Sequence, residues 1–298
     1  MKEKNFALFA VSWISFFWGT TYIAAKIATE EIPGLFVSAV RLFIAGIIIC
    51  SYFLIKNYTL PGKKELLIIF YQSIFLLIFG NGVSTWAMQY ISGGLASIIS
   101  AIIPLEIVLF SIFFTKTTRV TGLLFIGLLA GAGGLFLIFH EYLDELMMPE
   151  YRFGIFLSFF AGIMWSIGTV YTSKQQSNTN LFFSVGLQML MAGIVLIPIS
   201  ILSGQTINLQ HAGTDALISV FYLIVVGSII TYSLFIYANS KLPAARVSIY
   251  AYINPLVAIF LGSILLHEKL NAAIIIGAVI TLASVFLVNH EFKKQASQ

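Results

Sequence analysis

Charge is what this sequence has least of. Only 9% of its 298 residues are Asp, Glu, Lys or Arg, against about 25% in a soluble domain, so a water-facing surface cannot be assembled from it. Cysteine is all but missing: Cys50 stands alone, which excludes an intrachain disulfide and a multi-cysteine metal site. Long polar stretches are missing too. The breaks between apolar runs, His140 to Arg152 among them, leave no room for a soluble domain. Enzyme signatures stop short as well, since His140-Glu141 and His267-Glu268 lack the second His of a zinc-binding His-Glu-x-x-His helix, and no Gly-rich loop precedes a Lys. No nucleophile, base and orienting group can be assembled by spacing. Neither an enzyme nor a resident metal or cofactor is expected. The run His140, Glu141, Asp144, Glu145, Glu150 reads as a solvated acidic loop, and the sequon Asn57-Tyr58-Thr59 sits on a connection expected to be cytoplasmic, where it is silent.

What is present is apolar. Hydrophobic residues make up 59% and mean hydropathy is +0.97, which places the chain in a bilayer. At about 20 residues per crossing there is room for roughly ten spans. Apolar runs between charged or Gly/Pro breaks predict them at Phe6–Ala25, Gly34–Ile55, Leu66–Met88, Leu95–Thr115, Gly122–Phe139, Phe153–Tyr171, Leu181–Leu202, Leu217–Tyr237, Val247–Leu266 and Ala272–Val288. Unbroken runs, without ten-residue alternation, exclude a β-barrel, and lipid offers no partner to unpaired backbone groups, so the spans are helices. The first run follows Met1-Lys2-Glu3-Lys4 as a signal peptide would, but it is long and no small-x-small cleavage site follows it. It reads as the first span.

The chain repeats itself. Ala87 to Val108 aligns without a gap on Ala238 to Ile259, at an offset of 151 residues, with Ser97 on Ser248 and Pro104-Leu105 on Pro255-Leu256. Gly19-Thr20-x-Tyr22 likewise meets Gly168-Thr169-x-Tyr171, Ala45-Gly46 meets Ala192-Gly193, and Gly127 meets Gly277. The fold class expected is an all-α polytopic membrane protein of ten transmembrane helices in two five-helix repeats, residues 1–142 and 150–290, followed by a tail at 291–298. An odd number of crossings per repeat inverts the second copy, as in many secondary transporters.

Lys and Arg set the orientation. A cytoplasmic N-terminus puts Lys2, Lys4, Lys56, Lys63, Lys64, Lys116, Arg119, Lys174, Lys241, Arg246, Lys293 and Lys294 inside and only Lys26, Arg152 and Lys269 outside. The net charge of +4 is thus a topology signal and no nucleic-acid patch, with both termini cytoplasmic in the cell (inner) membrane.

Several polar residues fall inside these runs. Glu106, near the middle of the fourth span, costs about 2.5–3.5 kcal/mol to insert there. It reads as a site for a substrate ammonium or a coupling proton, or as a structural ion pair with Arg41 or a protonated carboxyl bonded to a neighbouring helix. Arg41, two turns into the second span, suits a carboxylate or phosphate, and equally suits snorkelling or helix pinning. Their repeat partners are Val257 and Gln188. Pro104 and Pro255 occupy matching depths and predict hinges or fixed kinks, with Asn254 able to serve a freed carbonyl. Trp18, Tyr22, Trp86, Tyr90, Trp165, Tyr171, Tyr232, Tyr237, Tyr250 and Tyr252 exceed what interfacial belts need; Tyr90 and Tyr171 suit a belt, the deeper ones a cavity lining. Gly127-x-x-x-Gly131, echoed by Gly277, predicts close helix packing within a monomer or across a homodimer.

Five plus five spans, an Arg in Arg41-Leu42-Phe43-Ile44-Ala45-Gly46, paired prolines in the fourth and ninth spans and the closing Leu266-His267-Glu268-Lys269-Leu270 resemble the EamA family of the drug/metabolite transporter superfamily. One departure is that Thr115-Lys116-Thr117 stands where that family carries an acidic residue after the fourth span. The resemblance implies a secondary transporter of small metabolites such as amino acids, often an exporter. It also implies a central cavity lined by the third, fourth, eighth and ninth spans with help from the first and sixth. Carried onto this chain, that points to Trp86, Tyr90, Glu106, Tyr232, Tyr237, Tyr250 and Asn254, with Trp18, Tyr22 and Trp165. The implied partners are a small-molecule substrate, the lipid bilayer and, as a candidate coupling ion, the proton. Organic cations or anionic and phosphorylated metabolites are alternative cargoes, and a non-transporting sensor or assembly partner is the alternative of another class.

Overall fold

The computed structural model describes residues 2–114, 121–140, 149–175, 177–206, 212–265 and 272–295, and among them no strand occurs. The helices run in chain order as α1 (Lys2–Glu31), α2 (Gly34–Ile55), α3 (Lys63–Ala87), α4 (Gly93–Ser100 and Ile103–Phe114) and α5 (Gly122–Phe139). They continue as α6 (Pro149–Lys174), α7 (Leu181–Leu202), α8 (Thr214–Lys241), α9 (Ala244–Val247 and Tyr250–Leu265) and α10 (Ala272–Gln295). Eight of these are long and apolar enough to cross a membrane, while α5 and α10 contribute shorter apolar stretches, Gly122–Leu137 and Ile275–Val288. Large apolar side chains such as Ile55, Leu202 and Phe286 are 78%, 87% and 71% exposed, which only a lipid sheath accommodates.

Local chemistry sets the helix ends. Asn180 caps α7 by accepting from the backbone N–H of Phe182 and Phe183, and Ser92 caps α4 by accepting from Leu95 N–H. α2 and α7 end alike. Asn57 and Gly204 both take the left-handed conformation (φ 62° and 69°), and Tyr58 N–H donates to the Phe53 carbonyl as Gln205 N–H does to that of Ser200. These are Schellman endings. Within α3 and α8, the stretches Ser73–Gly82 and Leu223–Tyr232 widen to π-helical geometry.

Small residues let the helices close on one another. A Cβ on Gly46 of α2 would lie 2.4 Å from the Leu190 nitrogen of α7, and one on Gly193 of α7 would lie 2.6 Å from the Phe43 Cα of α2. The contact is reciprocal. Between α5 and α10, a Cβ on Gly131 would come within 2.6 Å of Ser284 Oγ, and one on Gly134 within 2.6 Å of Thr281 Oγ1 and 2.7 Å of the Gly277 carbonyl. The glycine face of α5, with Gly127 against Val288, is therefore buried inside the monomer. α1 packs on α8 and α9, with Gly19 against Val257, while α6 packs on α3 and α4, with Gly168 against Leu76.

The two prolines behave differently. α4 breaks at Ala101–Ile102, so Pro104 enters the first turn of a new segment, where its missing N–H costs nothing. α9 breaks earlier, at Ser248–Ile249, and Pro255 lies within the helix that follows. Asn254 does not serve the carbonyl of Ala251, which Pro255 frees. With its nitrogen facing them, its amide donates to the carbonyls of Tyr250 (3.1 Å) and Ser15 (2.9 Å), tying α9 to α1. Lys116, Arg119, Glu141, Asp144, Glu145 and the stretch Leu266-His267-Glu268-Lys269-Leu270 lie outside the described residues.

Candidate substrate cavity

The crossing helices leave a cavity between them. α1 contributes Trp18, Thr21 and Tyr22; α2 contributes Arg41; the π stretch of α3 and the turn after it contribute Gly80, Asn81, Ser84 and Thr85. Ser100 and Ile103 of α4 face it across the break in that helix, and α6 adds Ser158, Gly162 and Trp165. The π stretch of α8 supplies Gly227, Ser228 and Tyr232, and α9 supplies Tyr250 and Asn254.

Among the described residues, one charged side chain reaches this wall. Arg41 is 6% exposed; its Nη2 donates to Asn81 Oδ1, and its Nε is buried without a partner. Ser158 Oγ and Ser228 Oγ, also buried in the wall, are unpaired too. Buried donors left unpaired cost about 1–3 kcal/mol each, so the wall is complete only when water or a ligand accepts from them. Among the described lining residues none is Asp or Glu.

Aromatic rings close the floor of the cavity, toward the bundle end where Lys241 pairs with Glu3 at 3.0 Å. Trp165 Nε1 donates to Tyr250 OH at 2.7 Å. Trp18 stands edge-on to both, with centroids 5.3 Å from Trp165 and 4.9 Å from Tyr250, and Phe235 lies 5.1 Å from Trp165. Behind them Tyr232 OH donates to Gln188 Oε1 (2.5 Å), Gln188 Nε2 to Gln72 Oε1 (2.8 Å) and Gln72 Nε2 to the Gln175 carbonyl (2.7 Å). Gln188, the counterpart of Arg41, is thus spent on structure.

The structure gathers Trp18, Tyr22, Arg41, Trp165, Tyr232, Tyr250 and Asn254 around the cavity and leaves four expected lining residues outside it. Trp86 and Tyr90 both stack edge-on against Phe153, at 5.4 and 5.2 Å, and Tyr237 packs on Phe6 at 5.1 Å. Glu106 lies one layer behind the wall. Its Oε2 accepts from Ser166 Oγ at 2.7 Å and would be 3.8 Å from a Cβ on cavity-lining Gly162. Among the described residues no ion pair joins it to Arg41. Asn81, Ser84, Thr85, Ser100, Ser158 and Ser228 are lining residues that sequence reasoning passed over. Asn81 alone carried a usable signal, an amide flanked by glycines within an apolar run.

The match to known proteins follows this architecture. A family model described as the EamA-like transporter family matches twice, at residues 5–140 and 152–290. This chain belongs to the EamA-like transporter family. The EamA-like chain is 31% identical over 266 residues to the "Uncharacterized inner membrane transporter YedA" of Escherichia coli K12, covering 89% of this chain and 83% of that protein. It is 27% identical to the "WAT1-related protein At3g02690, chloroplastic" of Arabidopsis thaliana (92% of this chain, 67% of that protein) and 23% identical to the "Uncharacterized transporter YoaV" of Bacillus subtilis (95% and 96%). A solved crystal structure shares the fold at a TM-score of 0.76 and 16% identity, covering 98% of this chain and 99% of its own. This EamA-like protein is a multi-pass membrane transporter.

Proposed function

We propose that this transporter moves small carboxylated metabolites, amino acids first among them, out of the cell by alternating access, with two inverted five-helix repeats rocking about the midplane cavity. Arg41 carries the reading. A buried guanidinium aimed into a cavity, with Nε unpaired and no lining carboxylate, suits a carboxylate ligand. The faces of Trp18 and Tyr250 and the free Ser158 and Ser228 hydroxyls suit the rest of an amino acid, including its ammonium. The repeat reading draws support from the matched Schellman ends, the matched π stretches and the reciprocal glycine contacts. A ten-span bundle with both termini cytoplasmic follows from the Lys and Arg distribution.

Glu106 is assigned to energy coupling, as a carboxyl that takes up and releases a proton behind the wall while Ser166 orients it. A thermal-shift screen of the purified protein tests the cargo: amino acids stabilise it and the corresponding decarboxylated amines do not. Equal stabilisation by the amines would transfer the assignment to organic cations. In proteoliposomes, Glu106→Gln retains counterflow of labelled substrate and loses the response to an imposed pH gradient; full gradient-driven transport in that variant removes Glu106 from the mechanism.

A further inference from the structure

On the lipid-facing side, away from the cavity, a groove runs between α2 and α8. Its walls are apolar, built from Ile48 and Tyr52 on α2 and from Ile230 and Leu234 on α8. At one end the chemistry changes. Lys56 and Tyr58 form the rim, and the Schellman ending of α2 fixes them there, with Phe53 and Tyr58 edge-on at 5.0 Å. Among the described residues no carboxylate pairs with Lys56. Lys63 and Lys64 begin α3 at the same end, followed by Glu65, so with Lys56 the rim region carries a net positive charge.

The matching end of α7 has the same backbone and none of this chemistry. Ser203, Gln205 and Ser200 stand where α2 has Lys56, Tyr58 and Phe53. An apolar trough about two helical turns long, ending on an unpaired ammonium and a phenol, has the shape and charge to take the upper part of a phospholipid, with the start of an acyl chain along the helices and the phosphate at the rim.

We propose that this groove is a binding site for an anionic phospholipid, with Lys56 and Tyr58 holding the headgroup phosphate. The purified protein is reconstituted in nanodiscs of mixed phosphatidylglycerol and phosphatidylcholine, released, and the lipid it retains is read by native mass spectrometry. Phosphatidylglycerol is retained over phosphatidylcholine by about fivefold, the factor one surface lysine supplies. Lys56→Gln, an exposed change that leaves packing intact, reduces that ratio to parity, and Ile230→Trp fills the trough and expels both lipids. Lys64→Gln keeps the preference. Equal retention of the two lipids by the unaltered protein overturns the site. An equal loss in Lys64→Gln does so too, because it marks diffuse surface charge, as does a dimer cross-linked through a Cys placed at Ile230, because a second copy then fills the groove.

Discussion

The two halves of this transporter share several backbone features and carry different side chains on them. Their second helices end in the same motif, at Asn57 and Gly204, and their third helices widen to π geometry over the same ten residues, Ser73–Gly82 and Leu223–Tyr232. The side chains diverge where the halves meet the cavity. The first half offers Arg41, Gly82 and Ile99 where the second has Gln188, Tyr232 and Tyr250. The charge on the wall therefore comes from the first half, whereas the ring floor and the glutamine network draw mainly on the second, joined by Trp18 and Gln72 of the first. Backbone geometry follows from packing that both halves need, whereas a single asymmetric ligand calls for different chemistry on its two sides.

The sharpest way to break this comparison is to exchange the charge. Arg41→Ala lowers counterflow by about 10- to 100-fold, the worth of a buried charge-assisted hydrogen bond, whereas Gln188→Ala leaves substrate affinity intact and lowers thermal stability; equal losses of affinity would show that the cavity is not polarised. Next come the reciprocal glycines. Gly46→Val and Gly193→Val each destabilise by about 1–3 kcal/mol through overpacking, read as thermal unfolding in detergent, while Gly133→Val, which meets open space, is neutral. A large difference between the first two would argue against equivalent halves.

A smaller effect is expected at the floor. Tyr250→Phe removes the acceptor of Trp165 Nε1 and loosens the plug by about 1 kcal/mol. In a Cys50→Ala background, a Cys at Ser228 then reacts about fivefold faster with a thiol reagent added from the Lys241 end. Unchanged labelling would mean that the rings do not seal the cavity. The smallest effect distinguishes the two Schellman turns: Gly204→Ala costs about 1 kcal/mol because its φ is left-handed, and Asn57→Gly costs nothing measurable.

Much of the fold was legible beforehand, because hydropathy alone determines where a chain crosses lipid. The expected spans fall on the observed helices, with ends shifted by a few residues as at α3, which begins at Lys63 and not Leu66. The cavity was legible only in part. Trp18, Arg41, Trp165 and Tyr250 were readable as polar or amphipathic groups too deep for an interface, but Trp86 gave the same signal and turns toward Phe153 instead, while Tyr90 and Tyr237, expected in the lining from the family resemblance, pack on Phe153 and Phe6. Which way a side chain turns about its helix depends on neighbours far away in the chain. The serines of the wall gave no signal, since serine is common in membrane helices, where its hydroxyl can bond back to a carbonyl, and the sequence does not tell those that do from Ser158 and Ser228, which do not.

By itself, then, the sequence determined that this protein lives in a bilayer as a bundle of helices, because apolar runs of that length have no other stable state. Its internal repetition supplied matched positions for comparison. Only the tertiary structure decided which matched residues meet. It brought Arg41 to Asn81 and away from Glu106, set Gly162 between that carboxylate and the cavity, and committed Gln188 to Tyr232. Those choices belong to helix rotation and crossing, which are fixed by close packing at glycines such as Gly46 and Gly193 and are not written in any single run of residues.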